Sequence, residues 1–291
     1  MHLIDLHTHT TASDGSMLPE DLVNYAKNKG LKAIAITDHD TTDGLNQAVA
    51  EGKRIGLEVI SGIEISADFN PEMHILGYFL KGDYSGISKI LADLRSKREE
   101  RNPRIVNKLN ELGLEITMEE VLAKSSGGVT GRPHIAKVMI EKGYVRNLEE
   151  AFDKYLASSR PAYFKKDKLT PRQCIGEINA AGGLPVLAHP IYLRMEYEQL
   201  DILLAELKQY GLRGIEAYYV DNTAQQTAML LNLAKKHSLL VTGGSDFHGS
   251  FKPNIDIGIG RGDLHIPYEL LENMKMCKNT QKKTCPGGQA E

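Results

Sequence analysis

Two histidines, His7 and His9, stand two residues apart in the first apolar run, HLIDLHTHT. In an extended chain, residues i and i+2 face the same side. Two imidazoles so placed can grip one metal ion. An H-x-H pair is a modest signal by itself. Asp14 follows in ASDGS, where a turn-capping aspartate is the plainer reading of the residue alone. His39 closes a second apolar run in TDHD, while Glu64 in GIEIS and His74 in EMHILGY interrupt two more. Polar groups of this kind are rarely buried without a partner. His189 ends LPVLAHP, and Asp246 and His248 repeat the i, i+2 spacing in GGSDFHG.

The elements that must position these residues alternate in type. Strands are expected at 3–6, 33–37, 58–66, 72–80, 184–188, 214–219 and 239–243. The continuous Val/Ile/Leu/Ala runs suit strands buried on both faces. Amphipathic helices are expected at 19–30 and 44–56 and before each of the last three strands. Strands three and four follow too closely for a helix to fit between them. Repeated βα units favour a parallel sheet. The expected fold is α/β, a seven-stranded (β/α) barrel or a distorted eight-stranded one, with an open doubly wound sheet as the alternative. Ligand-type residues then end or interrupt six of the seven expected strands. In such barrels the carboxyl ends of the strands form the active-site face.

The nine residues His7, His9, Asp14, His39, Glu64, His74, His189, Asp246 and His248 comprise six imidazoles and three carboxylates. With one carboxylate bridging they offer ten bonds, which suits three divalent ions better than one or two with open positions. Mixed N and O ligation suits Mn²⁺, Zn²⁺ or Fe²⁺, and Mn²⁺ is the ion expected. The absence of cysteine from the set excludes a thiolate zinc site. Asp40 is read as a residue that orients one of these ligands.

Residues 84–168 break the alternation and read as a helical insertion, dividing a barrel at 1–83 and 169–276. Residues 277–291, polar and ending in CPGGQAE, read as a flexible tail. Charge follows the same division. From Arg95 to Arg172 there are 17 Lys/Arg and 11 Asp/Glu, a net of +6; the remainder has 18 and 27, a net of −9. The insertion reads either as solvated helix faces or as a basic lid that attracts an anion. Within it, Arg132 and His134 open a helix after Gly131. They are either ordinary helix-terminal residues or a phosphate clamp. Arg160 and Lys166 are further substrate-binding candidates.

Composition excludes several classes. The net charge of −3 argues against coating duplex DNA. No apolar run reaches the length of a membrane span, and no signal-peptide pattern opens the chain. Cys174, Cys277 and Cys285 are scattered, so the cytoplasm is the expected compartment. Neither G-x-G-x-x-G nor a P-loop occurs. Nothing points to an obligate protein partner.

HTHTTASDG, ITDHDT, GIEIS, the HP pair and GGSDFH together resemble the PHP (polymerase and histidinol phosphatase) family over nearly the whole chain. The resemblance implies a distorted seven-stranded TIM-like barrel with a trinuclear metal site at its carboxyl end. By motif, His7, His9, Glu64 and Asp246 would hold the first ion. Glu64 would bridge to a second held with His74 and His189. Asp14, His39 and His248 would hold the third. GRPHIAKVM and KYLASSRPAY resemble the stand-alone subgroup acting on nucleoside 3′,5′-bisphosphates and short RNA ends.

The implied reaction is hydrolysis of a phosphate monoester, the 3′-phosphate of such a bisphosphate. The expected nucleophile is a hydroxide bridging two ions, with Glu64, Asp246, Arg132 and His134 as the catalytic set. Histidinol phosphate phosphatase is the alternative enzyme, and a non-catalytic metal-bearing regulatory module the alternative of another class.

Overall fold

The computed structural model describes residues 3–82, 84–124, 130–164 and 168–284, with backbone alone at 93–99 and 281–284. The expected Lys166 contact and Cys285 lie outside the described residues. The chain divides into two compact units: residues up to Ser88 together with those from Leu169 on, and Lys89–Lys168.

The first unit holds strands β1 (Ile4–Thr8), β2 (Ala33–Ile36), β3 (Glu58–Ala67), β4 (Met73–Tyr78), β5 (Leu184–Leu187), β6 (Gly214–Tyr219) and β7 (Leu240–Gly244), all neighbours in chain order in one seven-stranded sheet. Helices α1 (Pro19–Asn28) and α2 (Leu45–Ile55) fill the first two crossovers. The strands are parallel except β4, which runs antiparallel to both β3 and β5. The cause is the length of the connection. Only residues 68–72 separate β3 from β4, whereas a parallel return needs a dozen or more residues. Every residue of β1, β2 and β5 is buried, as expected for strands covered on both faces.

β1 and β7 close the barrel through a parallel bridge between Thr8 and Phe247. There the His9 amide donates to the Phe247 carbonyl at 2.9 Å. The fit is tight: a Cβ on Gly244 would sit 2.1 Å from the Cβ of His7. The fold is thus a nearly closed, distorted TIM-like barrel. Inside it Ile4, Leu6, Leu76, Tyr78 and Val186 belong to one core cluster, with the Tyr78 hydroxyl donating to the Leu6 carbonyl at 2.8 Å.

α3 (Ser85–Glu111) starts in the barrel unit and ends in the second one, so that unit begins at Lys89 rather than at residue 84. α4 (Met118–Leu122), α5 (Arg132–Glu141) and α6 (Leu148–Ala151, running into a π-helical turn at Phe152–Leu156) complete it around Ile105, Leu109, Ile135 and Met139. Back in the barrel, α7 (Pro171–Ala180), α8 (Tyr197–Gln209) and α9 (Ala224–His237) precede β5, β6 and β7. Capping boxes start α7 at Thr170/Gln173 and α9 at Thr223/Gln226. Cys174 is buried in α7.

The C-terminal segment departs from expectation. α10 (Glu269–Thr284) carries the helix past residue 277, so 277–284 is helical rather than a flexible tail. Met274 and Lys278, one turn apart, are both buried and tie it down, and no Gly or Pro interrupts it.

Candidate metal centre

Seven polar residues carried by five strands converge on the barrel rim. His7 and His9 end β1, His39 follows β2, Glu64 lies in β3, His189 follows β5, and Asp246 and His248 follow β7. His74 stands near the start of β4 rather than its end, and the reversal of β4 brings that start to the same rim. It pairs with Ser66 near the end of β3.

Glu64 is the centre. Its carboxylate is fully buried and meets five imidazoles. Oε1 lies 2.8 Å from both His74 Nδ1 and His189 Nε2. Oε2 lies 3.1 Å from His7 Nε2, 3.3 Å from His9 Nε2 and 3.2 Å from His39 Nδ1. Asp246 Oδ1 is 3.1 Å from His9 Nε2 and 3.6 Å from His7 Nε2. Asp14 gathers the remaining ligands: one oxygen lies 3.3 Å from His248 Nε2 and 3.5 Å from His9 Nδ1, the other 3.8 Å from His39 Nε2.

Three groups of mutually close donors result: His7, His9, Glu64 and Asp246; His39, Glu64 and His74; and His9, Asp14, His39 and His248. His189 reaches the second through Glu64. Asp14 is 55% exposed while most of the others are buried, so the cluster opens on the Asp14 side.

These residues fit divalent cations. Both ring nitrogens of His9, His39 Nδ1 and His74 Nε2 are buried and make no hydrogen bond. Carboxylate oxygens stand near some of them, but buried polar nitrogens that make no hydrogen bond are costly. The rings also crowd one another, with His9 and His248 centroids 4.1 Å apart. Protonating all the imidazoles would bring like charges together, whereas cations between the nitrogens and the three carboxylates satisfy both.

Without a metal, protons take the cations' place. Burial opposes a charge on His9, but the adjoining Asp246 and Glu64 outweigh it and lift its pKa to about 10. Burial likewise opposes the charge on His74, and Glu64 lifts it to about 9. His39 falls to about 4, because burial and the neighbouring His9 and His74 prevail over Glu64. Burial disfavours the Glu64 and Asp246 anions, yet the surrounding imidazoles hold both well below the usual carboxylate range.

A second set of residues aims the ligands, and the motifs do not mark it. Glu216, in β6, lies 3.0 Å from His7 Nδ1 and accepts the His189 amide at 2.7 Å. A carboxylate only accepts, so His7 Nδ1 donates to Glu216, and Nε2 is the nitrogen that a cation in the centre would meet. With Glu216, all seven strands serve the rim. The Tyr219 hydroxyl, at 2.9 Å, and Lys252 Nζ, at 2.6 Å, donate to Asp246 Oδ2 and turn Oδ1 inward. Asp5 accepts the Ser245 and Gly258 amides, at 3.0 and 2.7 Å, and fixes the chain just before Asp246. Asp38 accepts from the Thr10 amide and hydroxyl at 2.8 Å and from the Ser13 hydroxyl at 2.6 Å, holding the loop that carries Asp14. Asp40 accepts the Ser66 amide at 3.0 Å and so braces β3. Asp40, His189 and Asp246 all have positive φ (51°, 25° and 55°). Such strain, on the order of 1–3 kcal/mol per residue, clusters at functional sites.

Arg132, His134 and Arg160 lie in the helical unit. Arg132 donates to the Leu156 carbonyl at 2.8 Å and stacks over Phe152 and Tyr163. His134 Nδ1 accepts the Gly131 amide at 3.1 Å, capping α5. Arg160 is exposed.

The PHP domain family model matches residues 5–168, more than half of the chain. This chain belongs to the PHP family. A 5′–3′ exoribonuclease of Haemophilus influenzae is 34% identical over 84% of this chain and 89% of its own. A 3′,5′-nucleoside bisphosphate phosphatase of Chromobacterium violaceum is 28% identical over 88% and 90%. Among solved structures, a Bifidobacterium adolescentis protein assigned as a metal-dependent phosphoesterase superposes with a TM-score of 0.77 at 32% identity, covering 95% of this chain and 96% of that one. Like these PHP relatives, the chain is a metal-dependent hydrolase of phosphoesters. Among the described residues, no helix of this PHP protein is long and apolar enough to cross a membrane.

Proposed function

We propose that this PHP phosphoesterase removes the 3′-phosphate of nucleoside 3′,5′-bisphosphates and also acts on 5′ ends of short RNA. One observation carries the phosphoesterase chemistry: a buried carboxylate, Glu64, encircled by five imidazoles and flanked by Asp246 and Asp14. The nucleotide class is supported by the two relatives named for RNA and for nucleoside bisphosphates.

His7, His9, Glu64 and Asp246 would hold one ion, Glu64, His74 and His189 a second, and Asp14, His39 and His248 a third, with Mn²⁺ favoured over Zn²⁺ or Fe²⁺. Bound divalent cations lower the pKa of water and offset the charge that builds on the phosphoryl group. The chain's own contribution is aim. Glu216 fixes the His7 tautomer, Tyr219 and Lys252 fix Asp246, and Asp38 fixes the Asp14 loop. Preorganised donors of this kind need no rearrangement when the reaction occurs. The basic segment 95–172 supports Arg132, His134 and Arg160 as phosphate contacts on charge.

The test is a screen of the Mn²⁺-loaded protein against nucleoside 3′,5′-bisphosphates, short RNA, cyclic phosphates and histidinol phosphate. Turnover led by the bisphosphates is expected, and Glu64→Ala should abolish it. Preference for histidinol phosphate would replace the substrate assignment. No hydrolysis of any phosphoester would leave a regulatory module as the reading.

A further inference from the structure

His189 begins a short 3₁₀ turn, Pro190–Leu193, that carries Tyr192 out of the rim. Tyr192 is among the few large hydrophobic side chains of the described residues left open, at 44% exposure. Its ring centroid lies 5.2 Å from that of His189, which itself touches Glu64. An aromatic face therefore stands one side chain away from the metal-binding carboxylate.

The ring is not loose. Its hydroxyl donates to Asp221 Oδ2 at 2.6 Å, and Arg261 holds the other oxygen of Asp221 at 2.6 Å. The Tyr219 ring meets Tyr192 at 5.7 Å with an 84° interplanar angle and braces it edge-on. The polar end of Tyr192 is thus satisfied inside the protein. What remains open is a fixed aromatic surface, which packing of the described residues leaves unused. Every nucleobase has a π-face, and stacking on such a platform tolerates any base. A tyrosine offers that area at little cost in side-chain freedom, least of all when already pinned.

We infer that Tyr192 is the base-stacking, specificity-determining residue of this site: it selects phosphoesters that carry a nucleobase over base-free sugar phosphates. The inference rests on the nucleotide reading above and adds to it the side chain that reads the base.

The experiment compares adenosine 3′,5′-bisphosphate with its base-free counterpart, 1-deoxyribose 3,5-bisphosphate, in the metal-loaded wild type, Tyr192→Phe and Tyr192→Ala. Wild type should prefer the nucleoside. Tyr192→Ala should raise the nucleoside KM roughly ten-fold or more, as loss of one base stack does, with kcat little changed. Tyr192→Phe, which keeps the ring, should stay near wild type, and the base-free substrate should not sense either change. A second readout avoids turnover. The chain has no tryptophan, so Tyr192→Trp places a single indole there, and adenosine 5′-monophosphate should quench it while ribose 5-phosphate should not. An unchanged nucleoside KM in Tyr192→Ala, an equal loss on both substrates, or no selective quenching would overturn the stacking role and leave the nucleotide reading standing. No turnover of either bisphosphate by wild type would overturn both.

Discussion

Glu216 differs from glutamine by one charge, and that charge decides how His7 presents itself. In Glu216→Gln the amide can hold the ring but no longer fixes which nitrogen bears the proton. Metal affinity is expected to fall about 10- to 100-fold, as for other outer-shell carboxylates, while the circular dichroism spectrum is retained; competition with a chelator measures it. Protons compete for the same nitrogens. With His9 lifted to about 10 and His74 to about 9, both are protonated at neutral pH in the metal-free protein. Loading should therefore release protons, and apparent affinity should climb as pH rises toward 9. Calorimetry in two buffers of different ionisation enthalpy reads the release directly; equal heats would contradict it. Eight of the nine metal-ligand candidates were legible in the sequence because each is a polar group at or near the end of, or inside, an apolar run; Asp14, in the ASDGS loop, is marked only by their company. Glu216 in GIEAYY carries the same signal as Glu64 in GIEIS. It escapes notice because a lone carboxylate does not tell whether it faces a cation or the far side of a ligand. Tyr219 and Lys252 carry no local signal at all, since their role exists only through Asp246.

At the scale of elements, close approach and loop anchoring do the positioning. Gly244 presses against His7, and Gly244→Ala is expected to lower Tm by overpacking, on the order of 1–3 kcal/mol or more, with a loss of metal affinity because His7 moves. Thermal melts with and without metal separate the two effects. Asp38→Ala frees the Thr10–Ser13 loop and should reduce the metal content per chain without abolishing it, since Glu64 and its imidazoles are untouched; elemental analysis decides. Arg132 has an internal role in its unit, so Arg132→Ala should destabilise by about 1 kcal/mol for the lost hydrogen bond. A raised KM in the same variant would show that it also meets phosphate. The strand spacing in the sequence shows that no helix separates β3 from β4, and the reversal of β4 follows from that alone. The helical course of α10 was harder to read, because a polar composition does not reveal that Met274 and Lys278 bury one face.

Across the whole molecule, acid and base are segregated, with a net of −9 outside the 95–172 segment and +6 within it. The acidic share includes the groups that demand cations, so metal removal should cost the barrel stability. A ligand at about 100 times its Kd adds roughly 2.7 kcal/mol to the folded state. Chelation is accordingly expected to lower Tm and added Mn²⁺ to restore it; an unmoved Tm would show that the cluster is stable without ions.

The seam between β1 and β7 has a further consequence, for how the protein is made. His7 and His9 leave the ribosome more than two hundred residues ahead of Asp246 and His248. At synthesis rates of about 5–20 residues per second, the first two imidazoles, already followed by Glu64, wait on the order of ten seconds or more for their second carboxylate partner, Asp246. A nascent chain can offer incoming ions only an incomplete set until β7 docks. A cation held by His7, His9 and Asp246 together would link the two strands at which the barrel closes.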